Sequence, residues 1–356
     1  RCCKVTGVQT CALPILSLKK NDEIKLNIES VTSEGSALGR YNGLAVFVFG
    51  AVPGDVVEAH IIKVSKNYAV GIIKEIIEKS PFRIESDCPV SDKCGGCTFR
   101  SMTYEKELQS KLDFVNGNME RIAKLPIRCE EIIGASDILR YRNKAQYPVC
   151  IQGNGFCAGF YAYKSHRIVP AADCLLQPAE FKAGVEAFEK WALAANVSSF
   201  DEKSGRGLLR HIYFRKAFAT GEIMACAVIN GSSVPEPQML VSFLQSALPG
   251  LKSVVLNINK NKTNVILGEK TKLLWGSEKI TDMLLGKKFI ISPQSFYQVN
   301  HAQCEKLYSA AAELAGLSGS ETVLDMYCGA GTVGISLSDK CKSLRSEERR
   351  VGKECR

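Results

Sequence analysis

The chain has 356 residues, 46% hydrophobic and 23% charged, which is the composition of a globular protein with two or three domains. Its formal net charge of +9 favours a polyanionic partner. No run of about 18 apolar residues occurs, so we predict no membrane-spanning helix. Fifteen cysteines without a recognisable secretory signal predict reduced thiols in a cytoplasmic protein.

The sequence at both ends of the chain lacks the pattern of a folded domain. Residues 1–15 resemble the translation of a sequencing-library adapter, and residues 345–356 resemble the translation of another. The alternative is a pair of authentic tails without a pattern. We therefore expect the native protein to occupy residues 17–344 and to be cut short at its C-terminal end. Without the two ends its net charge remains positive.

The first native segment, residues 17–80, has the pattern of a small all-β barrel. Ile24, Leu26 and Ile28 alternate with polar residues as in a half-buried strand, and three further strand-like runs follow. We interpret residues 34–40 as a glycine-bearing loop. Basic and aromatic residues alternate as on surfaces that bind single-stranded nucleic acid, although ordinary solvated lysines fit equally well. The candidate RNA contacts here are Arg40, Lys66 and Tyr68.

Three cysteines lie close together near the start of the central segment, residues 81–288. Cys88, Cys94 and Cys97 form the pattern Cys-x5-Cys-Gly-Gly-Cys, whose glycines permit a tight turn around a metal ion or iron–sulfur cluster. A fourth ligand must come from elsewhere, and Cys174 is the candidate. Zinc and iron–sulfur clusters both accept four thiolates. A set of buried structural thiols is the alternative.

After the cysteines, apolar residues recur at multiples of three and four from Met102 to Ile122. This spacing predicts a long amphipathic helix with its apolar stripe packed on a core. Thr103 is the expected N-cap.

Three later stretches, residues 141–148, 159–167 and 206–213, concentrate arginine, lysine and aromatic residues on strand-like sequence. Cationic side chains neutralise phosphates and aromatic rings stack on unpaired bases, so together they predict an RNA-facing sheet. We interpret His166 and His211 as structural, because neither has an adjacent acid in the sequence. The candidate RNA contacts in this segment are Arg142, Lys144 and Arg210.

The final segment, residues 289–344, contains a glycine-rich turn between a strand and a helix. An apolar strand ends at Asp325, and a Gly-x-Gly-x-x-Gly pattern begins at Gly329. This predicts the first β-loop-α unit of a doubly wound fold, which binds its ligand at the carboxyl end of the strand. The glycine spacing fits a dinucleotide, whereas Asp325 and the following Tyr-Cys pair favour S-adenosylmethionine. Cys328 is interpreted as a small buried residue in preference to a nucleophile.

Taken in order, these features resemble the RNA uracil-5-methyltransferases of the 23S ribosomal RNA type. Residues 51–55, Ala-Val-Pro-Gly-Asp, resemble a TRAM domain, an OB-like RNA-binding barrel, and residues 292–300 match a Ser-Pro-x-Ser-Phe-x-Gln-Val-Asn segment of the family. Asn257-Ile-Asn259 agrees as well. The resemblance implies a multi-domain α+β and α/β protein. It would have a TRAM barrel, a central α/β domain with an iron–sulfur site, and the start of a Rossmann-like class I methyltransferase domain.

The resemblance also implies a function, which is methylation of uracil C5 in 23S rRNA through a covalent cysteine adduct at C6. The implied cofactors are S-adenosylmethionine and a [4Fe–4S] cluster, and the implied partner is RNA, with no membrane and a monomeric state. Carried over by position, the cluster ligands are Cys88, Cys94, Cys97 and Cys174, and the S-adenosylmethionine contacts are Gln298, Asp325, Tyr327, Gly329 and Gly331.

In the family, the nucleophilic cysteine lies in a Pro-Pro-Arg segment beyond the first glycine loop, and a glutamate base follows it. The printed sequence contains no such segment, so we expect the parent protein to be a methyltransferase and this chain to be inactive. A tRNA uracil-5-methyltransferase is the nearest alternative, and a non-catalytic RNA-binding protein is another. A radical S-adenosylmethionine enzyme fits poorly, because its cluster spacing is Cys-x3-Cys-x2-Cys and its barrel is C-terminal.

Overall fold

The computed structural model describes residues 18–153 and 155–347. The described chain forms two compact units: residues 18–92 with 97–134, and residues 93–96 with 135–347. The adapter-like ends lie outside the described residues, except for positions 345–347. Within the described ranges no helix is both long enough and apolar enough to cross a membrane.

The first unit begins with a closed five-stranded barrel, as the sequence predicted. Its strands close in the order β1-β2-β3-β5-β4. Alternate side chains such as Leu26, Val46 and Val57 fill the barrel core. The five strands are β1 (Glu23–Val31), β2 (Ala37–Tyr41), β3 (Leu44–Val48), β4 (Val56–Val64) and β5 (Tyr68–Glu78).

The loop predicted over residues 34–40 is wrong in its second half, since Ala37–Tyr41 is strand β2. Gly39 on this strand lies against β1, where an added Cβ atom would come within 2.3 Å of the Asn27 carbonyl oxygen. The glycine therefore permits a close approach of two strands and does not mark a turn.

A buried carboxylate joins the barrel to the chain that follows it. Asp55 is fully buried, and its oxygens accept hydrogen bonds from the backbone nitrogens of Val52 at 2.7 Å and Ser80 at 2.9 Å. The Arg83 Nη2 lies 2.5 Å from Asp55 Oδ2. Burial alone would raise the pKa of Asp55, but the Arg83 guanidinium and the two backbone donors lower it below its ordinary value.

Helix α1 (Tyr104–Arg121) follows, and Thr103 caps it by accepting a backbone N–H of the first turn at 3.4 Å, as predicted. The predicted core packing holds only in part. Val115 is 42% exposed and Ile122 is 77% exposed, whereas the buried residue of the helix is Asn116. The apolar spacing thus predicted the helix correctly but not the residue that it buries.

The second unit is built on a seven-stranded sheet in the order β12-β11-β10-β9-β6-β7-β8. Strands β10 and β11 pair in parallel, and the other neighbours pair antiparallel. The strands are β6 (Lys144–Gln152), β7 (Gly155–Tyr161), β8 (Ile168–Pro170), β9 (Leu209–Lys216), β10 (Ile223–Ile229), β11 (Leu251–Ile258) and β12 (Lys270–Gly276).

Both faces of this sheet are covered. Helices α2 (Glu180–Ala194) and α3 (Pro237–Ala247) pack on one face. The hairpin of β13 (Ile280–Leu284) and β14 (Lys287–Ile291) packs on the other, together with helix α4 (His301–Leu314). Most of the stretch 206–213 is therefore buried between the layers, which corrects our expectation that it faces RNA. The predicted domain boundary between residues 288 and 289 falls inside β14.

The last described elements form one β-α-β unit. Strand β15 (Thr322–Asp325) is followed by helix α5 (Thr332–Leu337), a short 3₁₀ turn and strand β16 (Ser343–Ser346), which pairs with β15 in parallel. This agrees with the predicted start of a Rossmann-like domain. Arg345 and Ser346, which we assigned to the adapter-like end, lie in β16.

Candidate functional site

A glycine loop lies at the carboxyl end of β15, where a doubly wound fold binds its ligand. Gly329 has a φ of 55° and Gly331, the residue before α5, has a φ of 74°. Backbone in this left-handed region favours glycine. No heavy atom outside the neighbouring residues lies within 4 Å of the position of an added Cβ at Gly329. The backbone at Gly329 is therefore open on the side where a Cβ atom would lie, and binding of a ligand there remains a prediction.

Asp325 fixes the geometry of this loop from within. Its Oδ2 accepts a hydrogen bond from the Gly334 N–H at 3.1 Å, which ties the end of β15 to the first turn of α5. A Cβ atom at position 334 would lie 3.0 Å from the same oxygen. The third glycine of the pattern thus makes room for the carboxylate, a role that its spacing alone did not reveal.

The other two predicted cofactor contacts differ in their surroundings. Tyr327 is 74% exposed, so its ring lies on the open side of the loop. Gln298 is partly buried, and its backbone carbonyl accepts a hydrogen bond from Asn143 Nδ2 at 2.8 Å. The backbone N–H of Asn143 also donates to the Val299 carbonyl at 2.8 Å. The segment that carries Gln298 is therefore held at the start of β6.

A residue that sequence reasoning missed links Gln298 to the glycine loop. Tyr308 on α4 is buried, and its hydroxyl lies 3.0 Å from the Thr332 hydroxyl at the start of α5. Burial raises the pKa of Tyr308, while hydrogen bonds from Thr332 and the Gln298 side chain oppose that shift. No motif signals Tyr308, because its role depends on the packing of α4 against α5.

The predicted cysteine ligands fall in both units: Cys88 and Cys97 in the first, Cys94 and Cys174 in the second. The turn at Cys94 is tight, since its sulfur accepts the Gly96 N–H at 3.4 Å. Within residues 18–153 and 155–347, no three side chains of His, Cys, Asp or Glu are placed so as to hold a metal ion. The four-cysteine site remains a prediction.

The loop that carries Cys174 is held by one arginine. Arg140 Nη1 donates to the backbone carbonyls of Cys174 and Gln177, each at 3.1 Å, and lies 2.8 Å from Asp173 Oδ1. The Cys174 backbone therefore has a defined position within the second unit.

The predicted RNA contacts on the barrel lie at its surface. Arg40 and Lys66 are exposed, and Arg40 Nε lies 3.6 Å from Glu29 Oε2. The half-buried Tyr68 ring lies 5.6 Å beneath the Lys63 ammonium. Hydrogen bonds from Ser65 and then Lys63 lower the pKa of Tyr68. These groups form a basic and aromatic surface of the kind that binds single-stranded RNA.

The three contacts predicted in the central segment separate into two groups. Arg142 and Lys144 are half-buried, and Lys144 lies directly opposite Arg215 in the β6–β9 register. Burial lowers the pKa of Lys144, and Arg215 and Arg142 add to that shift. Arg215 itself is buried, and its Nη1 donates to the backbone carbonyls of Ser292 at 3.2 Å and Ser295 at 2.9 Å.

Arg210, the third of them, is only 7% exposed. Its Nη1 donates to the backbone carbonyls of Asn259 at 3.0 Å and Asn261 at 2.8 Å, and its guanidinium stacks 4.3 Å from the Phe200 ring. These contacts correct our prediction, because they give Arg210 a structural role in the loop after β11.

The two histidines also have distinct surroundings. His166 is exposed, and its Nδ1 lies 2.5 Å from Glu202 Oε2, an acid distant in sequence. His211 is buried, and burial lowers its pKa to about 4. Neither lies in the glycine loop.

Comparison with known proteins agrees with this architecture. A family model for the TRAM domain matches residues 18–74. An uncharacterized RNA methyltransferase of Halalkalibacterium halodurans is 40% identical over 332 residues, which cover 93% of this chain and 72% of that protein. One from Caldanaerobacter subterraneus is 41% identical over 323 residues, with 91% and 72% covered.

A solved structure shares the fold. It is a Pyrococcus abyssi tRNA (uracil-54, C5)-methyltransferase in complex with S-adenosyl-L-homocysteine, with a TM-score of 0.67 and 23% sequence identity, covering 88% of this chain and 70% of that one. The barrel, the glycine loop and the extent of the sequence identity lead to one conclusion: this chain belongs to the family of RNA methyltransferases.

Proposed function

We propose that this protein transfers a methyl group from S-adenosylmethionine to C5 of a uracil in RNA, with 23S rRNA as its substrate. The observation that carries the proposal is the β15–glycine loop–α5 unit, anchored by the bond between Asp325 and Gly334, in a chain of the RNA methyltransferase family. The Pyrococcus abyssi enzyme of the same fold acts on uracil C5.

The residues of the loop fit S-adenosylmethionine, which supplies an electrophilic methyl group when it is bound. The backbone is left-handed at Gly329 and Gly331, and no heavy atom lies within 4 Å of the position of an added Cβ at Gly329. We assign Asp325 to holding this loop and Tyr327 and Gln298 to contacting the cofactor. In support, the Gln298 side chain lies within hydrogen-bonding reach of Tyr308, whose hydroxyl is 3.0 Å from that of Thr332.

The chemistry of uracil sets further requirements. C5 is a weak nucleophile, so a cysteine thiolate adds to C6 first and the resulting enolate carbon attacks the methyl group. A base then removes the C5 proton and the thiolate leaves. The target base must be unstacked to reach the site. We assign neither the nucleophile nor the base to a residue of the printed chain.

The barrel and the start of β6 would hold the RNA. Arg40, Lys66 and Tyr68 offer exposed cationic groups and a ring, and Arg142 and Lys144 offer a second cationic site. Phosphate neutralisation and base stacking are the two interactions that hold unpaired RNA.

We also propose that Cys88, Cys94, Cys97 and Cys174 bind a [4Fe–4S] cluster. The short spacing, the tight turn at Cys94 and the fixed backbone at Cys174 support it. We derive no catalytic step through the cluster. Iron and sulfide analysis after anaerobic purification tests it: Cys174→Ser should lose both, and the control Cys226→Ser, a buried cysteine of β10, should retain them. A colourless protein loaded with zinc would contradict the assignment.

Tritium release tests the site of methylation. The product of the gene is assayed on RNA labelled with tritium at uracil C5. Release in step with methyl incorporation is the expected result for the gene product. Methyl incorporation without release would place the methyl group elsewhere and refute the C5 proposal.

The same assay separates rRNA from tRNA as the substrate. Transcripts of 23S rRNA should be methylated by the gene product and tRNA transcripts should not. The opposite preference would support the tRNA alternative. Binding of RNA without any methyl transfer by the gene product would favour a non-catalytic RNA-binding protein.

A further inference from the structure

Two cysteines that the proposed function does not use lie opposite each other in the β6–β7 hairpin. Cys150 on β6 and Cys157 on β7 are direct partners in the antiparallel register. Side chains at directly opposed positions share one face of the sheet and lie close together. Opposed Cα atoms are separated by about 4.5 or 5.5 Å depending on the pair type. Both separations lie within the range of about 4.4 to 6.8 Å that a disulfide spans.

The environment of the pair permits chemistry at both sulfurs. Both cysteines are half-buried, whereas Cys226 and Cys304 in the same unit are buried. Burial raises the pKa of Cys157, and the neighbouring Cys150 raises it further. The second effect requires the two thiols to be within electrostatic reach of each other. A small reagent can therefore meet two adjacent thiols.

We propose that Cys150 and Cys157 are a redox-active thiol pair that oxidised glutathione converts into a cross-strand disulfide. One cysteine thiolate attacks a glutathione sulfur, which forms a mixed disulfide and releases one glutathione thiolate. The second cysteine thiolate attacks the protein sulfur of that mixed disulfide and releases the other glutathione thiolate. The protein loses two electrons and two protons, and glutathione disulfide takes up the two electrons.

The bond would join β6 to β7 near one edge of the seven-stranded sheet. In reduced glutathione the pair stays as two thiols, as expected for a protein of a reducing compartment. Because only a thiolate attacks a disulfide, closure should become faster as the pH rises toward the raised pKa of Cys157. Neither sulfur belongs to the glycine loop, so closure of the pair does not depend on the proposed methyl transfer.

Tryptic mapping gives a direct test on the intact protein. Cleavage after Lys144 and Lys164 yields a single peptide, residues 145–164, that contains both cysteines and no others. The folded protein is equilibrated in glutathione buffers of increasing oxidation, alkylated and digested. The half-buried Cys129, alone in the peptide of residues 129–140, is the control thiol.

We expect peptide 145–164 to lose two hydrogens and both alkylation sites in oxidising buffer, and to regain them on reduction, while Cys129 is still alkylated. The effective concentration of the pair should be at least about tenfold higher in the folded protein than in urea. Cys150→Ser and Cys157→Ser should yield no closed peptide. Retention of two alkylated cysteines in oxidising buffer would overturn the proposal, as would equal closure in urea.

Discussion

Replacement of Asp55 by asparagine should unfold the barrel far more readily than any surface substitution. The change removes the charge that pairs with Arg83 at 2.5 Å and turns one acceptor oxygen into a donor facing backbone N–H groups. Breaking a buried ion pair from one side costs about 3 kcal/mol or more. This corresponds to about two orders of magnitude in the local opening equilibrium.

Hydrogen exchange measured by mass spectrometry localises the effect. Peptides from residues 23–78 of Asp55→Asn should exchange about a hundredfold faster under conditions in which opening is at equilibrium. Peptides from β9 and β10 should not change. The control is Glu58→Gln, because Glu58 lies 3.3 Å from Lys74 in an exposed pair worth less than about 1 kcal/mol. If the barrel peptides were equally protected from hydrogen exchange in Asp55→Asn and Glu58→Gln, the assigned role of Asp55 would be refuted.

The pH dependence supplies a second readout of the same carboxylate. Hydrogen bonds lower the pKa of Asp55 in the folded state below its ordinary value of 3.8. Its stabilising contribution is therefore complete above pH 3.8 and is lost as the pH falls toward the folded pKa. In the native protein, the protection of the barrel amides from hydrogen exchange should therefore decrease as the pH falls below 3.8. The decrease should be smaller in Asp55→Asn, whose side chain does not titrate.

Three further predictions concern the other sites. Gly334→Ala should weaken S-adenosylmethionine binding about tenfold in calorimetry, because the added methyl would lie 3.0 Å from Asp325 Oδ2; unchanged affinity would refute the anchoring role. Lys66→Ala should weaken RNA binding and reduce by about one the slope of the logarithm of the RNA-binding constant against the logarithm of the salt concentration. Arg210→Gln should lower the melting temperature of the protein and leave that slope unchanged. Burial lowers the pKa of His211 to about 4, so the stability of the second unit should fall by about 3 kcal/mol as the pH drops from 6.5 to 4. Urea titrations at several pH values measure the free energy of unfolding, and His211→Gln should abolish its decrease. If the free energy of unfolding of this variant still decreased between pH 6.5 and 4, His211 would be excluded as the source.

Local pattern predicted the elements of this chain well. Strand alternation predicted β1 through Ile24, Leu26 and Ile28, and the spacing of three and four predicted α1 with Thr103 as its cap. These features depend on near neighbours in the sequence, so the residues themselves specify them.

The errors arose where distant segments meet. Gly39 was interpreted as a loop residue because its contact with Asn27 is formed only when β1 and β2 pair. Arg210 was predicted to face RNA because its charge gave no sign of the carbonyls of Asn259 and Asn261 that bind it. Exposure depends on the layers that cover a strand, and those layers come from remote parts of the chain.

The sequence by itself determined the barrel, the glycine loop after Asp325 and the set of thiols with ligand-like spacing, since each depends on residue types at short separations. Only the tertiary structure decided what those residues contact. It placed the Tyr308 hydroxyl beside that of Thr332, brought Gly334 against Asp325, and set Cys150 opposite Cys157 through the register of a hairpin. Strand register and helix packing are cooperative properties of the whole fold, which is why no single motif predicted these contacts.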